Sequence, residues 1–129
     1  MTTSIVCIAL LGLLLFVLGL GTSVQRGRSE RISGTSGDPA DPLHKMVRAH
    51  GNTAEFAPML AILIFLVGRT DPSIWGQVLM IGATASRYSL ALGLLLSPTL
   101  DQPQPLRFLG ALGTYVFGAG LCILLLLSL

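Results

Sequence analysis

The sequence predicts an all-α integral membrane protein that folds as a bundle of four transmembrane helices. Hydrophobic residues make up 52 % of the 129 residues and charged residues only 11 %, whereas a soluble domain has about 25 % charged residues. The apolar residues form four long blocks, separated by segments rich in Gly, Pro, Ser or charged residues. We therefore expect one transmembrane domain over residues 1–129. Its spans are predicted at about 4–25, 42–68, 73–97 and 106–128.

The first two spans differ in polarity. Residues 4–24 carry no charge and would form a helix about 30 Å long, which matches a bilayer core. This segment lacks the basic n-region of a signal peptide, so we expect it to be retained as a helix. The second helix is predicted to begin with Asp41 as N-cap and Pro42 in the first turn. It must extend through the polar stretch HKMVRAHGNTAE to cross the membrane.

The third and fourth spans follow short connections. Gly68 is predicted to end the second helix, and Asp71 with Pro72 to begin the third. The third apolar block contains a single charged residue, Arg87. The connection SPTLDQPQP has three prolines, which must break the helix before the fourth span.

Positively charged residues are concentrated at one end of the predicted bundle. That end carries Arg26, Arg28, Arg31, Lys45, Arg48 and Arg107, whereas the opposite end has only Arg69. The positive-inside rule places the first and third connections in the cytoplasm and both termini outside. The net charge of +2 is a topology signal, and no nucleic-acid partner is predicted. Both cysteines lie in apolar blocks, so we predict neither a disulfide nor a metal site.

The second helix carries a polar stripe. Arg48, Asn52 and Glu55 are spaced i, i+4 and i+7, which places them on one helix face. A charged group at mid-membrane depth costs about 2.5–3.5 kcal/mol, so such residues face a bundle interior or a wet cavity. The stripe could bind a zwitterionic ligand, or Arg48 and Glu55 could neutralise each other while Asn52 joins two helices. His50 falls nearly opposite, where it could hydrogen-bond a neighbouring helix or subunit.

The remaining arginines also allow two interpretations. Arg87 either reaches the cytoplasmic half of the cavity or extends to the lipid headgroups. Arg107 either belongs to the site or anchors helix four to lipid phosphate, and Arg26 and Arg28 either join the site or only set the topology. Together, these arginines suit an anionic, amphipathic partner such as a dicarboxylate or a lipid headgroup.

The stretch RAHGNTAEFAP resembles the signature of the MAPEG family, the membrane-associated proteins in eicosanoid and glutathione metabolism. That signature is approximately R-x-[HQ]-x-N-x-x-E-[YF]-x-P. It is matched by Arg48, His50, Asn52, Glu55, Phe56 and Pro58. The resemblance covers essentially the whole chain and suggests a bacterial-type member, located in the inner membrane if the source is bacterial. It implies a homotrimer of four-helix subunits, with glutathione bound between neighbouring subunits near the cytoplasmic face.

The resemblance also implies roles for individual residues. Glutathione would be held by Arg48, Asn52 and Glu55, with His50 nearby and Arg26 or Arg28 contributed from the end of helix one. Glu55 could accept a hydrogen bond from the ammonium group, and Arg48 could pair with a carboxylate. Arg107 would be catalytic by stabilising the thiolate, since nearby positive charge lowers the pKa of a thiol, and Arg87 would assist.

Helix three departs from the family pattern, because Leu90 and Leu94 stand where relatives carry histidine or tyrosine. We expect a transferase or peroxidase that uses glutathione or a related thiol against a lipophilic substrate arriving from the lipid bilayer. Leu90 and Leu94 favour an alternative, a non-catalytic trimer that binds a lipid or a partner in the same pocket. A proton-coupled transporter using Glu55 is disfavoured because Arg48 nearby should keep that carboxylate ionised.

Overall fold

The computed structural model describes residues 1–70 and 72–128, and these residues form four helices without a strand. The helices are α1 (Thr2–Arg28), α2 (Pro42–Arg69), α3 (Ile74–Leu96) and α4 (Pro105–Leu126). Each is long and apolar enough to cross a membrane, which confirms the predicted all-α class with four transmembrane helices. Asp71, which was predicted to start the third helix, lies outside the described residues. The positions of the membrane boundaries along these helices remain a prediction.

Side-chain caps fix the beginnings of α2 and α4. The Asp41 carboxylate accepts a hydrogen bond from the Leu43 backbone N–H at 3.0 Å, and Pro42 occupies the first position of α2. The Ser36 hydroxyl donates to the same carboxylate at 2.5 Å, and this bond holds the pKa of Asp41 below its ordinary value. At α4, the Gln104 side chain accepts from the Arg107 backbone N–H at 2.7 Å. The α2 helix runs unbroken through its internal proline and ends at Arg69, one residue beyond the predicted glycine.

The two central helices, α2 and α3, separate α1 from α4. Helix α1 packs on α2 and α3, α4 packs mainly on α3, and α1 does not contact α4 among the described residues. At one end of the bundle, a hydrogen bond connects the first turn of α1 to α3: the Thr3 hydroxyl donates to the Gln77 side-chain oxygen at 3.4 Å. At the other end, Lys45 Nζ donates to the carbonyl of Ser97 at 3.1 Å. We call this second end, which contains residues 29–41 and 97–104, the basic end.

Apolar side chains fill the bundle in two clusters. The cluster at the basic end is formed by Leu14, Leu18, Ala49, Leu90, Ala91 and Leu94. The other cluster is formed by Cys7, Leu11, Ala57, Leu60, Ile64, Val67, Met80, Ala83 and Leu121. Outward-facing residues of α1 and α4 are also apolar and exposed, among them Phe16, Leu20, Leu109 and Leu126. Exposed apolar surface of this extent is expected where a helix meets lipid or another membrane protein.

Helices α3 and α4 approach each other closely at two glycines. A Cβ atom on Gly93 would lie 2.5 Å from the Arg107 backbone nitrogen, and one on Gly110 would collide with the backbone of Leu90. Small residues at such contacts allow two backbones to meet. The close contact brings the first turn of α4, with Arg107, beside the end of α3.

Candidate active site

A cavity of about 1090 Å³ opens at the basic end between α2, α3 and α4. Helix α2 forms one wall and α4 the other, while α3 and the connection at residues 100–104 close the remaining sides. Its lining combines charged groups with apolar side chains. Such a combination is typical of pockets that bind small molecules.

The α2 wall consists of residues at every fourth position. It is formed by His44, Arg48, Asn52 and Phe56, a spacing that produces one continuous row along a helix. His44 Nδ1 makes a 2.8 Å hydrogen bond with the Thr35 hydroxyl, which ties this wall to the α1–α2 connection. Arg48 is solvent-exposed, so its guanidinium is free to meet a ligand.

Arg87 lies at the inner end of the cavity and is only 1 % exposed. Its Nη2 donates to the Asn52 side-chain oxygen at 2.7 Å, and its Nη1 donates to the Thr114 hydroxyl at 3.4 Å. The guanidinium carbon lies 5.2 Å from the centre of the Phe56 ring, within the range of a cation–π interaction. Arg87 Nε is buried and has no hydrogen-bond partner among the described residues. The bundle therefore holds this cation inside, and it does not extend to the lipid headgroups.

Arg107 lies near the mouth of the cavity and is half-buried. Its Nη1 donates to the Leu100 carbonyl at 2.8 Å. The Leu100 backbone N–H donates in turn to the carbonyl of Pro39 at 3.0 Å. Arg107 thus forms part of the cavity wall and also fixes the α3–α4 connection. One of its five N–H donors makes that bond, so the others remain for a ligand.

Four residues that the sequence assigned to the site do not line the cavity. Glu55 is exposed and absent from the lining, although it is near enough to Arg87 for their charges to interact. His50 faces α1, since its Nε2 would be 3.3 Å from a Cβ on Gly19. At the end of α1, Arg26 donates to the Gly34 carbonyl at 3.1 Å, and Arg28 is exposed. Of the four signature residues assigned to ligand binding, only Arg48 and Asn52 face the cavity.

The alternative in which Arg48 and Glu55 neutralise each other is not seen in the structure. Within residues 1–70 and 72–128, no Lys or Arg nitrogen lies within 4.0 Å of an Asp or Glu oxygen. The same residues contain no group of three or more His, Cys, Asp or Glu side chains that could hold a metal ion.

A model of the MAPEG family matches residues 4–127 of the chain. The chain belongs to the MAPEG family. This confirms the resemblance that the sequence showed and identifies a membrane protein of the glutathione and eicosanoid metabolism family. No curated protein matches the chain, and no solved structure matches it either.

Several cavity residues of this MAPEG chain were not identified from the sequence. Tyr115 packs edge-to-face on Phe56 with ring centroids 5.8 Å apart, and Thr114 contacts Arg87. Tyr115 follows Arg107 at i+8 on α4, so a helical wheel of α4 could have placed both on one face. Asp101 also lines the cavity, but it lies in a connection without any periodic pattern.

The α3 wall of the MAPEG cavity is apolar except for Arg87. Leu90 and Leu94 line it and are 6 % and 8 % exposed. On the α4 side, Phe108 and Ala111 continue the apolar surface. The cavity therefore combines guanidinium groups with an aliphatic wall on which a lipophilic molecule could lie.

Proposed function

We propose that this MAPEG protein is a membrane transferase or peroxidase that uses glutathione, or a similar small thiol, against lipophilic electrophiles. The observation that carries the proposal is the composition of the cavity, where Arg48, Arg87 and Arg107 line the same space as Leu90 and Leu94. Guanidinium groups pair bidentately with carboxylates, and glutathione has two carboxylates. The aliphatic wall suits an apolar substrate that arrives laterally from the bilayer.

The arginines also provide a means of activating the thiol. Positive charge nearby lowers the pKa of a thiol and favours the thiolate, which is the nucleophile. We assign this role to Arg107, assisted by Arg87, whose burial makes its electrostatic influence stronger than it would be in water. The thiolate sulfur would form a bond to the electrophilic carbon, and the leaving group would take the electron pair. With a hydroperoxide, the thiolate would attack the outer oxygen, so that the O–O bond breaks, the alcohol leaves and a sulfenic acid forms. A second thiol would then displace water from the sulfenic acid and give the disulfide.

The residues outside the cavity support a homotrimeric arrangement. His50 packs beside Gly19 of α1, Arg26 donates to the Gly34 carbonyl and Arg28 is exposed, and none of the three lines the cavity. The outer surfaces of α1 and α4 are apolar and exposed. We infer that the α1–α2 side of one subunit meets the open cavity of the next, where it would add these residues to the bound thiol. Glu55 would lie at the rim of that shared site.

The orientation in the membrane follows from the distribution of charge. The basic end, with the cavity mouth, would face the cytoplasm, and both termini would lie on the other side. This orientation would give the cavity access to a cytoplasmic thiol. Reporter fusions at each terminus test it, and activity of a cytoplasm-dependent reporter at either terminus would contradict it.

Calorimetric titration of glutathione into detergent-purified protein tests the function. The informative variant is Arg48→Gln, and the matched control is Arg69→Gln, because Arg69 lies at the opposite end with its guanidinium 5.9 Å from the Phe65 ring centre. We expect Arg48→Gln to weaken binding about tenfold or more and Arg69→Gln to bind as the wild type does. Ultraviolet absorbance of the thiolate and conjugation of a chromogenic electrophile complete the assay. Absence of glutathione binding by the wild type would refute the proposal.

A second candidate function is favoured by Leu90 and Leu94 together with the buried Nε of Arg87, which has no hydrogen-bond partner among the described residues. In that function, the cavity holds the carboxylate of a fatty acid against the arginines and its chain against α3, without chemistry. Titration with a fatty acid distinguishes the two functions. Tight fatty-acid binding without a thiolate band or conjugate would favour the second.

A further inference from the structure

Among the described residues that line the cavity, one carries a carboxylate: Asp101, in the connection between α3 and α4. We propose that Asp101 binds the ammonium group at the γ-glutamyl end of the thiol and so selects a ligand that carries a free amino group. This inference rests on the proposed use of glutathione and identifies a binding residue that the family signature does not include.

The charges of the cavity support this assignment. Its lining has three guanidinium groups, on Arg48, Arg87 and Arg107, and the single carboxylate of Asp101. Glutathione in its thiolate form carries two carboxylates, one thiolate and one ammonium group. Each ligand charge thus has a counterpart of opposite sign in the cavity. Without Asp101, the described lining of this cavity would present only cations to the ammonium, an arrangement that like-charge repulsion disfavours.

The connection that carries Asp101 is held in place on both sides of the residue. The preceding residue, Leu100, has both backbone groups occupied: its N–H donates to Pro39 and its carbonyl accepts from Arg107. On the other side, the Gln104 side chain caps α4. The Asp101 backbone N–H donates to the Thr99 hydroxyl at 3.4 Å. A carboxylate on a connection fixed in this way is preorganised for a ligand, which reduces the entropy cost of binding.

The Asp101 carboxylate is also unoccupied by the protein. In the part of the chain that the structure describes, its side chain forms neither an ion pair within 4.0 Å nor a hydrogen bond. Glu55, the other acidic residue near the site, lies outside the cavity of its own subunit, and its charge acts on Arg87. We therefore assign binding of the ammonium to Asp101. The negative charge of Glu55 instead offsets part of the positive charge of Arg87.

A thermodynamic cycle that combines one change in the ligand with one substitution in the protein tests the assignment. It uses the whole chain in detergent. The two ligands are glutathione and N-glutaryl-cysteinyl-glycine, which has a hydrogen atom in place of the ammonium group. Calorimetry measures the affinity of each for the wild type, Asp101→Asn and Glu55→Gln. Asp38→Asn is the matched control, because Asp38 is exposed in the α1–α2 connection at the same end of the bundle and absent from the cavity lining.

We expect removal of the ammonium to weaken binding about tenfold or more in the wild type, in Glu55→Gln and in Asp38→Asn. In Asp101→Asn, we expect the two ligands to bind within about twofold of each other. If removal of the ammonium weakens binding to Asp101→Asn as much as it weakens binding to the wild type, the assignment is wrong. A loss that disappears only in Glu55→Gln would transfer the ammonium to Glu55.

The same data separate this inference from the proposed function. If the wild type binds neither ligand, the use of glutathione fails and the inference fails with it. If the wild type binds both ligands equally, glutathione is a ligand but no carboxylate recognises its ammonium, and only the inference is refuted.

Discussion

The contact between Gly93 of α3 and the first turn of α4 allows a test of how α3 positions Arg107. In Gly93→Ala, the added methyl group would lie 2.5 Å from the Arg107 backbone nitrogen and 2.8 Å from its Cα, whereas ordinary contact begins at 3.4 Å. The deficit is roughly 1 Å, and both atoms belong to the backbone, so the start of α4 must move as a unit. Overpacking of this kind costs about 1–3 kcal/mol, and alanine recovers about 1 kcal/mol through its helix propensity. We expect a net destabilisation of up to about 2 kcal/mol, toward the upper end of this range because both clashing atoms belong to the backbone.

The assay measures both the bundle and the site. Circular dichroism during heating gives the thermal midpoint of the detergent-purified protein, and calorimetry gives the affinity for glutathione. We expect a lower midpoint and an affinity reduced several-fold, because Arg107 moves with its backbone. Gly12→Ala is the control, since a Cβ on Gly12 meets no atom within 4 Å, and its midpoint should be unchanged or slightly higher. If Gly93→Ala matched Gly12→Ala in midpoint and affinity, the proposed positioning of Arg107 would be wrong.

Three further substitutions test the inner end, the apolar wall and the start of α2. Arg87→Leu should abolish measurable glutathione binding and lower the thermal midpoint, because it also leaves the Asn52 oxygen without its 2.7 Å donor; unchanged binding would exclude Arg87 from the site. Leu94→Asn should raise KM for a lipophilic electrophile about tenfold and leave glutathione affinity unchanged; an effect on both would argue against separate subsites. Asp41→Asn should lower the midpoint at neutral pH, and the difference should disappear as the pH falls through the lowered pKa of Asp41, below its ordinary value of 3.8. The wild type should be the more stable protein above that pKa, because a carboxylate with a lowered pKa stabilises the fold only while it is ionised. Thermal midpoints of both proteins across a pH series measure this difference.

The sequence was sufficient to predict the membrane helices because each depends on local composition. Four apolar blocks of membrane length can fold only as helices in lipid, since every backbone polar group must be satisfied within the segment. The N-cap at Asp41 was equally predictable, because its carboxylate satisfies a donor two residues later. In contrast, the pairing of α3 with α4 depends on glycines whose partners lie distant in the chain, and no local pattern identifies those partners.

The helical wheel predicted the α2 face only in part. Residues at every fourth position drift by about 40° around a helix, and the cavity wall follows that drift from His44 to Phe56. At the depth of Glu55, the wall has therefore turned away from the direction in which Arg48 points. Spacing alone placed Glu55 in line with Arg48, whereas the position of α4 decides which residues the cavity reaches. Asp101 could not be predicted for a related reason, since its place in the site depends on contacts of the connection with Pro39 and Arg107.

The burial of Arg87 connects the family signature to the chemistry of the cavity. A cation inside a membrane bundle costs about 2.5–3.5 kcal/mol, and the groups that offset this cost come largely from α2. Asn52 accepts its hydrogen bond, and the Phe56 ring lies 5.2 Å from its guanidinium carbon. Both are signature residues, so the signature holds the inner cation as well as lining the cavity. A substitution at Asn52 would therefore act on a bound thiol through two routes, the lost amide and the displaced Arg87, and the second route would not be apparent from the signature alone.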